Sequence, residues 1–175
     1  MRELSKVAEN KYMNQDRELA TFAAGCFWGV ELEFGKMEGV ISTKVGYTGG
    51  QTSNPGYHEV CDGDTGHAEA VQIEFDPTLV SYEFLVNEFF NLHDPTTLNR
   101  QGPDVGEQYR SAIYFHSPEQ EATAKKVIAE LSASGEFDRA IVTEVVPAVQ
   151  FWDAEEYHQK YFERRGMASC HIRRK

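Results

Sequence analysis

Residues 19–50 read LATFAAGCFWGVELEFGKMEGVISTKVGYTGG, and a change of period inside them decides the fold. Leu19 to Ala24 is a short apolar run that stops at Gly25, the pattern of a buried strand. From Cys26 the period lengthens. Phe27, Val30, Phe34 and Met37 recur at spacings of 3, 4 and 3, one face of a helix that Gly39 ends. Val40 to Tyr47 is a second strand, closed by Gly49-Gly50. The cysteine therefore sits at a strand-to-helix junction.

The pattern continues outward from there. Residues 50 to 66 are rich in Gly, Asn, Asp and Pro and predict a long loop, of the length that is usually functional. His67 to Phe75 alternates, with His67, Glu69, Val71, Ile73 and Phe75 on one side, a strand with one apolar face. Ser81 caps a helix to Asn91. A second long loop runs from His93 to Gln108, and Ser111 to Phe115 is a strand. Ser117-Pro118 opens a helix to Leu131. Ile141 to Val146 is a further strand, and Asp153 with Glu156 predicts a capped helix to Arg165 that Gly166 ends.

This order predicts an α+β fold. It is a two-layer, ferredoxin-like sandwich of the split β-α-β type, with a mixed sheet, packed helices and long functional loops. The expected organisation is a polar arm over residues 1–17, a single domain over 18–166 and a flexible tail over 167–175 that carries Cys170. A chain of 175 residues fits one domain and can bury a core without disulfide staples.

The balance of 28 acidic against 17 basic residues, a net charge of −11, argues against nucleic acid as a partner. No apolar run approaches the roughly 20 residues of a membrane span, and the first sixteen residues lack a signal-peptide core, so the expected location is the cytoplasm. Three cysteines, Cys26, Cys61 and Cys170, do not make a disulfide framework. No exposed heptad or long apolar patch argues for an oligomer, and a monomer is expected.

Cys26 at the start of a helix faces unsatisfied N–H groups and the positive end of a dipole, which favour a thiolate. The position also suits a small buried side chain. Glu69 on the core side of a strand is expected to be desolvated and neutral, hence a proton donor, unless the strand end already meets solvent. Tyr57 and Tyr109, each just before a strand, can hold an oxygen or simply pack. Cys170 on the tail could reach another sulfur or stand idle. His58, Cys61 and His67 invite a zinc reading, but their spacing matches no usual zinc motif, and no metal is expected.

Side by side, these pieces resemble the peptide methionine sulfoxide reductase A family. The resemblance is carried by Gly25-Cys26-Phe27-Trp28-Gly29, Gly46-Tyr47-Thr48-Gly49-Gly50, Tyr57-His58-Glu59-Val60-Cys61 and Gly66-His67-Ala68-Glu69-Ala70. His93-Asp94-Pro95-Thr96-Thr97 through Gln108-Tyr109-Arg110-Ser111, and Ala154-Glu155-Glu156-Tyr157-His158-Gln159, complete it, over about residues 19 to 162. The resemblance implies that Cys26 attacks the sulfoxide sulfur of the S epimer, Glu69 protonates its oxygen, and Tyr57 and Tyr109 hold that oxygen. It implies an apolar pocket from Phe27 and Trp28 and a polar contact from Asp104. It further implies resolution of a Cys26 sulfenic acid by a distal cysteine and recycling by thioredoxin or another dithiol, with no bound cofactor. The tail departs from the two-cysteine form of the family. Cys170 is the thiol available there, so the implied disulfide is Cys26 to Cys170, with an external thiol as the other route. Cys61, beside Val60, reads as structural. The rival reading is a cysteine hydrolase in which His67 or His58 acts as base for Cys26.

Overall fold

The computed structural model describes residues 16–167; most of the predicted arm, and the tail from residue 168 with Cys170, lie outside the described residues. The elements in chain order are β1 (Glu18–Ala24), α1 (Phe27–Gly35), β2 (Val40–Thr48), α2 (Tyr57–Cys61), β3 (Ala68–Phe75) and α3 (Tyr82–Leu92). There follow β4 (Arg100–Gln101), β5 (Asp104–Val105), β6 (Ser111–Phe115), α4 (Pro118–Ser134), β7 (Glu144–Pro147), β8 (Phe151–Asp153) and α5 (Tyr161–Arg164). Single 3-10 turns occupy Glu107–Tyr109 and Glu156–His158.

Six strands form one mixed sheet in the order β7-β6-β1-β3-β2-β8. The β6–β7 pair is parallel and the other pairs are antiparallel. β3 lies between β1 and β2, so Val71 is opposite Phe22 on one side and Val45 on the other. The alternation of side chains along each strand then sorts the residues into two faces. One face carries Phe22, Val45, Tyr47, Val71, Ile73 and Ile113 and is packed by Phe27, Val30 and Phe34 of α1 and by Leu85, Val86 and Phe89 of α3. Phe22 stacks between Phe34 and Phe89, at centroid separations of 5.4 and 5.1 Å. Each such buried side chain contributes roughly 1.5–3 kcal/mol.

The helix caps form as their sequences predict. Ser81 Oγ accepts from the Phe84 N–H at 3.0 Å and Ser117 Oγ from the Gln120 N–H at 3.2 Å. α4 continues to Ser134 and is ended by Gly135 in the left-handed conformation, φ 74°.

Several expectations are corrected. β3 is buried on both faces at its start, because Ala68 and Ala70 pack with Ala23, Ala112 and Tyr114 into a second cluster closed by Val146, Ala148 and Phe151. The loop over 50–66 contains the one-turn helix α2, whose first N–H groups are met in part by Glu59 folding back on the Gly56 N–H at 2.8 Å. The loop over 93–108 contains the β4–β5 hairpin. β7 is shorter than predicted, because Val142 N–H is drawn to the Pro95 carbonyl and Thr143 Oγ1 to Ser111 Oγ. No continuous helix spans Asp153 to Arg165. Asp153 pairs with Gly46 in the sheet, the Gln159 side chain bonds both backbone groups of Val45, and Lys160 is left-handed at φ 51°. Tertiary contacts there outweigh the local capping pattern.

Gly46 is a site of close approach, since a Cβ would overlap the Trp152 carbonyl oxygen and the Phe151 ring. Gly46→Ala is therefore expected to push β8 off β2 and to cost about 1–3 kcal/mol. The measurement is the urea midpoint of the variant; an unchanged midpoint would show that β8 contributes nothing to stability.

Candidate active site

β1 runs up to Gly25, whose φ of 87° turns the chain into α1. Only a residue without a Cβ fits this turn, because a Cβ would come within 2.7 Å of the Gln101 side chain. That side chain ties the β4–β5 hairpin to the junction. Its oxygen accepts from the Asp94 N–H and its amide donates to the Asp94 carbonyl, each at 2.9 Å. Asp94 in turn accepts from the Thr96 N–H and hydroxyl. The segment His93 to Thr97 is thus a pinned turn that places Asp104, across from Gln101 in the hairpin, beside the start of α1.

Cys26 is the N-cap of α1 and is partly exposed. The next N–H, of Phe27, donates to Glu69 Oε2 at 3.2 Å. Glu69 projects from β3 opposite Tyr47 and is 2% exposed. Burial pushes its pKa up to about 8; the Phe27 N–H opposes this and the Asp104 carboxylate adds to it. At neutral pH Glu69 is therefore largely a neutral acid. Tyr57, at the start of α2, and Tyr109, at the end of a 3-10 turn, approach the same place. Both phenols are held above their ordinary pKa. For Tyr57 the causes are burial, then a hydrogen bond with Cys61 and the charges of Glu69 and Tyr109. For Tyr109 they are burial, then Glu69, Cys61, Asp104 and Cys26. Both stay O–H donors. The fold thus brings together Cys26, Glu69, Tyr57, Tyr109 and Asp104 from five separate segments.

Phe27 is buried against Tyr47 and His158, at centroid separations of 5.8 and 5.3 Å. Trp28 is partly exposed and lies flat on Tyr161 at 3.9 Å. Cys61, read from the sequence as structural, lies at the end of α2. It is partly exposed, bonded to Tyr57, and its thiol is pushed up chiefly by burial, against the Tyr57 bond.

Residues to which the sequence reading gave no role complete the pocket. His158, Tyr47 and Tyr161 contact Phe27 or Trp28, and Glu155 accepts from Tyr47 behind them. His158 and Glu155 lie inside a quoted motif, and Tyr47 shares the inward strand face with Val45, so a signal existed for each.

The histidines do not support the hydrolase alternative. His67 Nδ1 accepts from the Gly50 N–H at 2.9 Å and Nε2 donates to the Thr52 carbonyl at 2.7 Å. Both ring nitrogens are committed to stapling the loop. His58 is exposed and stands edge-on to Tyr57. Among the described residues no group of three His, Cys, Asp or Glu is placed to hold a metal ion, and no helix is long and apolar enough to cross a membrane.

Fold and site together define an α+β protein that presents a cysteine beside a buried carboxylic acid, two phenols and an aromatic wall. The family model of peptide methionine sulfoxide reductase matches residues 18–175. The peptide methionine sulfoxide reductase MsrA of Acidobacterium capsulatum is 58% identical over 153 residues, covering 87% of this chain and 98% of that protein. Reduced Mxr1 from Saccharomyces cerevisiae superposes with a TM-score of 0.85 at 37% identity, covering 93% of this chain and 94% of that one. Mxr1 in complex with Trx2 superposes with a TM-score of 0.64 at 27% identity, covering 93% of each chain. The chain belongs to the peptide methionine sulfoxide reductase family.

The raised pKa of Glu69 has a consequence for stability. A folded-state value of about 8, against 4.5 for the free group, makes the favourable contribution of the neutral acid complete below the unfolded value. It is lost as pH rises through the folded value. Wild type is therefore expected to lose stability relative to Glu69→Gln between about pH 5 and 8, read by urea unfolding of both proteins across that range. A pH-independent difference would show that Glu69 is not held neutral.

Proposed function

We propose that this protein is a peptide-methionine (S)-S-oxide reductase that repairs oxidised proteins. Cys26 is the nucleophile. Its sulfur attacks the sulfoxide sulfur while Glu69 delivers a proton to the sulfoxide oxygen. Tyr57 and Tyr109 donate hydrogen bonds to that oxygen, a preorganised environment for the charge that develops there. Phe27 and Trp28 form the apolar wall for the methyl group, and Asp104 orients the substrate. The oxygen then passes from the substrate sulfur to the Cys26 sulfur as the transient sulfur–sulfur bond breaks, which releases the methionine thioether and leaves a sulfenic acid on Cys26. The Cys170 thiol then condenses with it, forming the Cys26–Cys170 disulfide and releasing water. Thioredoxin, or another dithiol, supplies the two electrons that reduce the disulfide; the solved complex of the related Mxr1 with Trx2 supports this partner. No bound cofactor or metal takes part.

The observation that carries the reading is the Phe27 N–H bond to Glu69, which sets a neutral acid next to the cysteine at the head of α1. The related architecture is that of the four strands β6-β1-β3-β2, which we read as a ferredoxin-like sheet; β1 and β2 flank β3, and α1 and α3 cover one face. Residues 18–166 are taken as one catalytic domain acting as a monomer, with 1–17 and 167–175 as arm and tail. A cytoplasmic location suits a chemistry that depends on reduced thiols.

The test is turnover of S- and R-methionine sulfoxide peptides with thioredoxin and its reductase. Turnover of the S epimer alone is expected, and Cys26→Ser should abolish it. Glu69→Gln should fold and slow the single-turnover rate by about 10²–10⁴-fold, the usual worth of a general acid. Cys170→Ser should release one methionine per chain and then stop. Turnover in Cys26→Ser would overturn the assignment; sustained recycling in Cys170→Ser would transfer the resolving role to another thiol.

A further inference from the structure

His158 is 1% exposed and lies where α1, α2 and its own segment meet, among four aromatic rings. Its ring contacts Phe27 and Trp28 of α1 at 5.3 and 5.6 Å, Tyr57 of α2 at 4.7 Å and Tyr157 at 4.1 Å. Nδ1 receives the indole N–H of Trp28 at 3.0 Å. An indole nitrogen is only a donor, so Nδ1 must carry a lone pair and the ring proton must sit on Nε2. Nε2 lies 3.4 Å from Glu155 Oε2, near enough to feel its charge but without the alignment of a hydrogen bond. Glu155 also accepts from the hydroxyls of Tyr47 and Tyr157, at 3.3 and 3.1 Å. One tautomer of one imidazole thus supplies the hydrogen bond that holds the edge of the Trp28 ring, whose face lies on Tyr161.

We propose that His158 is a positioning residue: its neutral, Nε2-protonated ring holds Trp28 as the apolar wall beside Cys26, and protonation of His158 releases that wall. The proposal rests on the reading of Trp28 as a substrate contact.

A proton added at Nδ1 would set two donors against each other, so the Trp28 bond and the imidazolium exclude one another. The titratable groups that face the ring are Glu155 and Tyr157 on its own segment and Tyr57 from α2, with Tyr47 from β2 acting through Glu155. Glu155 favours the imidazolium; burial disfavours it more and holds the pKa of His158 below that of a free histidine. Glu69 is already protonated over that acidic range and cannot be the source of a step there. Wall contacts bind substrate and transition state alike, so their loss appears in KM more than in kcat.

The experiment follows the two indole N–H resonances of the whole protein, those of Trp28 and Trp152, by NMR between about pH 4.5 and 6.5, below the range in which Glu69 ionises, with Trp28 assigned through Trp28→Phe. KM for an S-methionine sulfoxide peptide is measured alongside. In wild type the Trp28 resonance is expected to leave its hydrogen-bonded position in one acidic step, with KM rising about three- to tenfold across it, the scale of one hydrogen bond. In His158→Gln the side-chain carbonyl can accept from the indole. The resonance and KM should then be independent of pH, with KM within about threefold of the wild-type value at neutral pH. In His158→Leu the resonance should be displaced at every pH and KM raised throughout. A Trp28 titration that persists in His158→Gln, or an unmoved resonance and KM in His158→Leu, would overturn the proposal. The resonance is read without turnover, so failure of the reductase reading and failure of the His158 reading are separate results.

Discussion

The hydrogen bond from the Phe27 N–H to Glu69 is the contact around which the site is organised. A helix start leaves its first N–H groups without partners, and a carboxyl buried in a sheet needs a donor. Here each satisfies the other. The bond also fixes the acid relative to the cysteine, since Phe27 follows Cys26 directly. A neutral carboxyl that accepts through Oε2 is best suited to carry its proton on Oε1. The demands of folding and of the proposed chemistry are met by the same two groups.

The rest of the architecture keeps that bond in place. β3 brings Glu69 to the sheet centre, between β1, which ends at the cysteine, and β2, which supplies Tyr47 across from the acid. Gly25 allows both the turn into α1 and the close packing of Gln101 over it. Gln101 holds the pinned turn at Asp94 and, through the hairpin, Asp104. Glu31, buried on the far side of α1, accepts from the Lys160 N–H at 2.8 Å and the Thr43 hydroxyl at 3.0 Å. It thereby anchors the left-handed residue after which Tyr161 lies on Trp28.

Cys26 and Glu69 were legible because their placement follows from local period. The switch from strand to helix at Gly25 needs only the neighbouring residues, and alternation alone puts Glu69 with Val71 and Ile73. Ser81 and Ser117 announced their helices for the same reason. α2 and the β4–β5 hairpin were missed because elements of one turn or two residues do not persist alone. They exist through contacts such as Gln101 with Asp94 and Tyr57 with the His158 ring. The segment from Asp153 had a real capping pattern, but Gln159 and Lys160 bond to distant partners that no local rule contains. His158 stayed without a role because its surroundings, at Phe27, Tyr57 and Tyr157, assemble only when the chain is folded.

The charges of the site carry a further constraint. Asp104 acts on Glu69 and on Tyr109, Glu69 acts on both phenols, and the causes acting on Tyr57 and Tyr109 include no cation. A second fixed carboxylate beside a thiolate would be repelled by it, and both would be costly in so enclosed a place. The conflict is relieved if only one of the two neighbours is charged at a time. Burial and Asp104 keep the Glu69 proton on, while the first N–H groups of α1 favour negative charge at Cys26. In the proposed reaction, transfer of the Glu69 proton to the sulfoxide oxygen coincides with loss of the thiolate charge into the new sulfur bond. The negative charge left by the acid appears as that of the nucleophile disappears, so the site never holds both. An acid of ordinary pKa at the same position would forfeit this, because it would be ionised before substrate arrived.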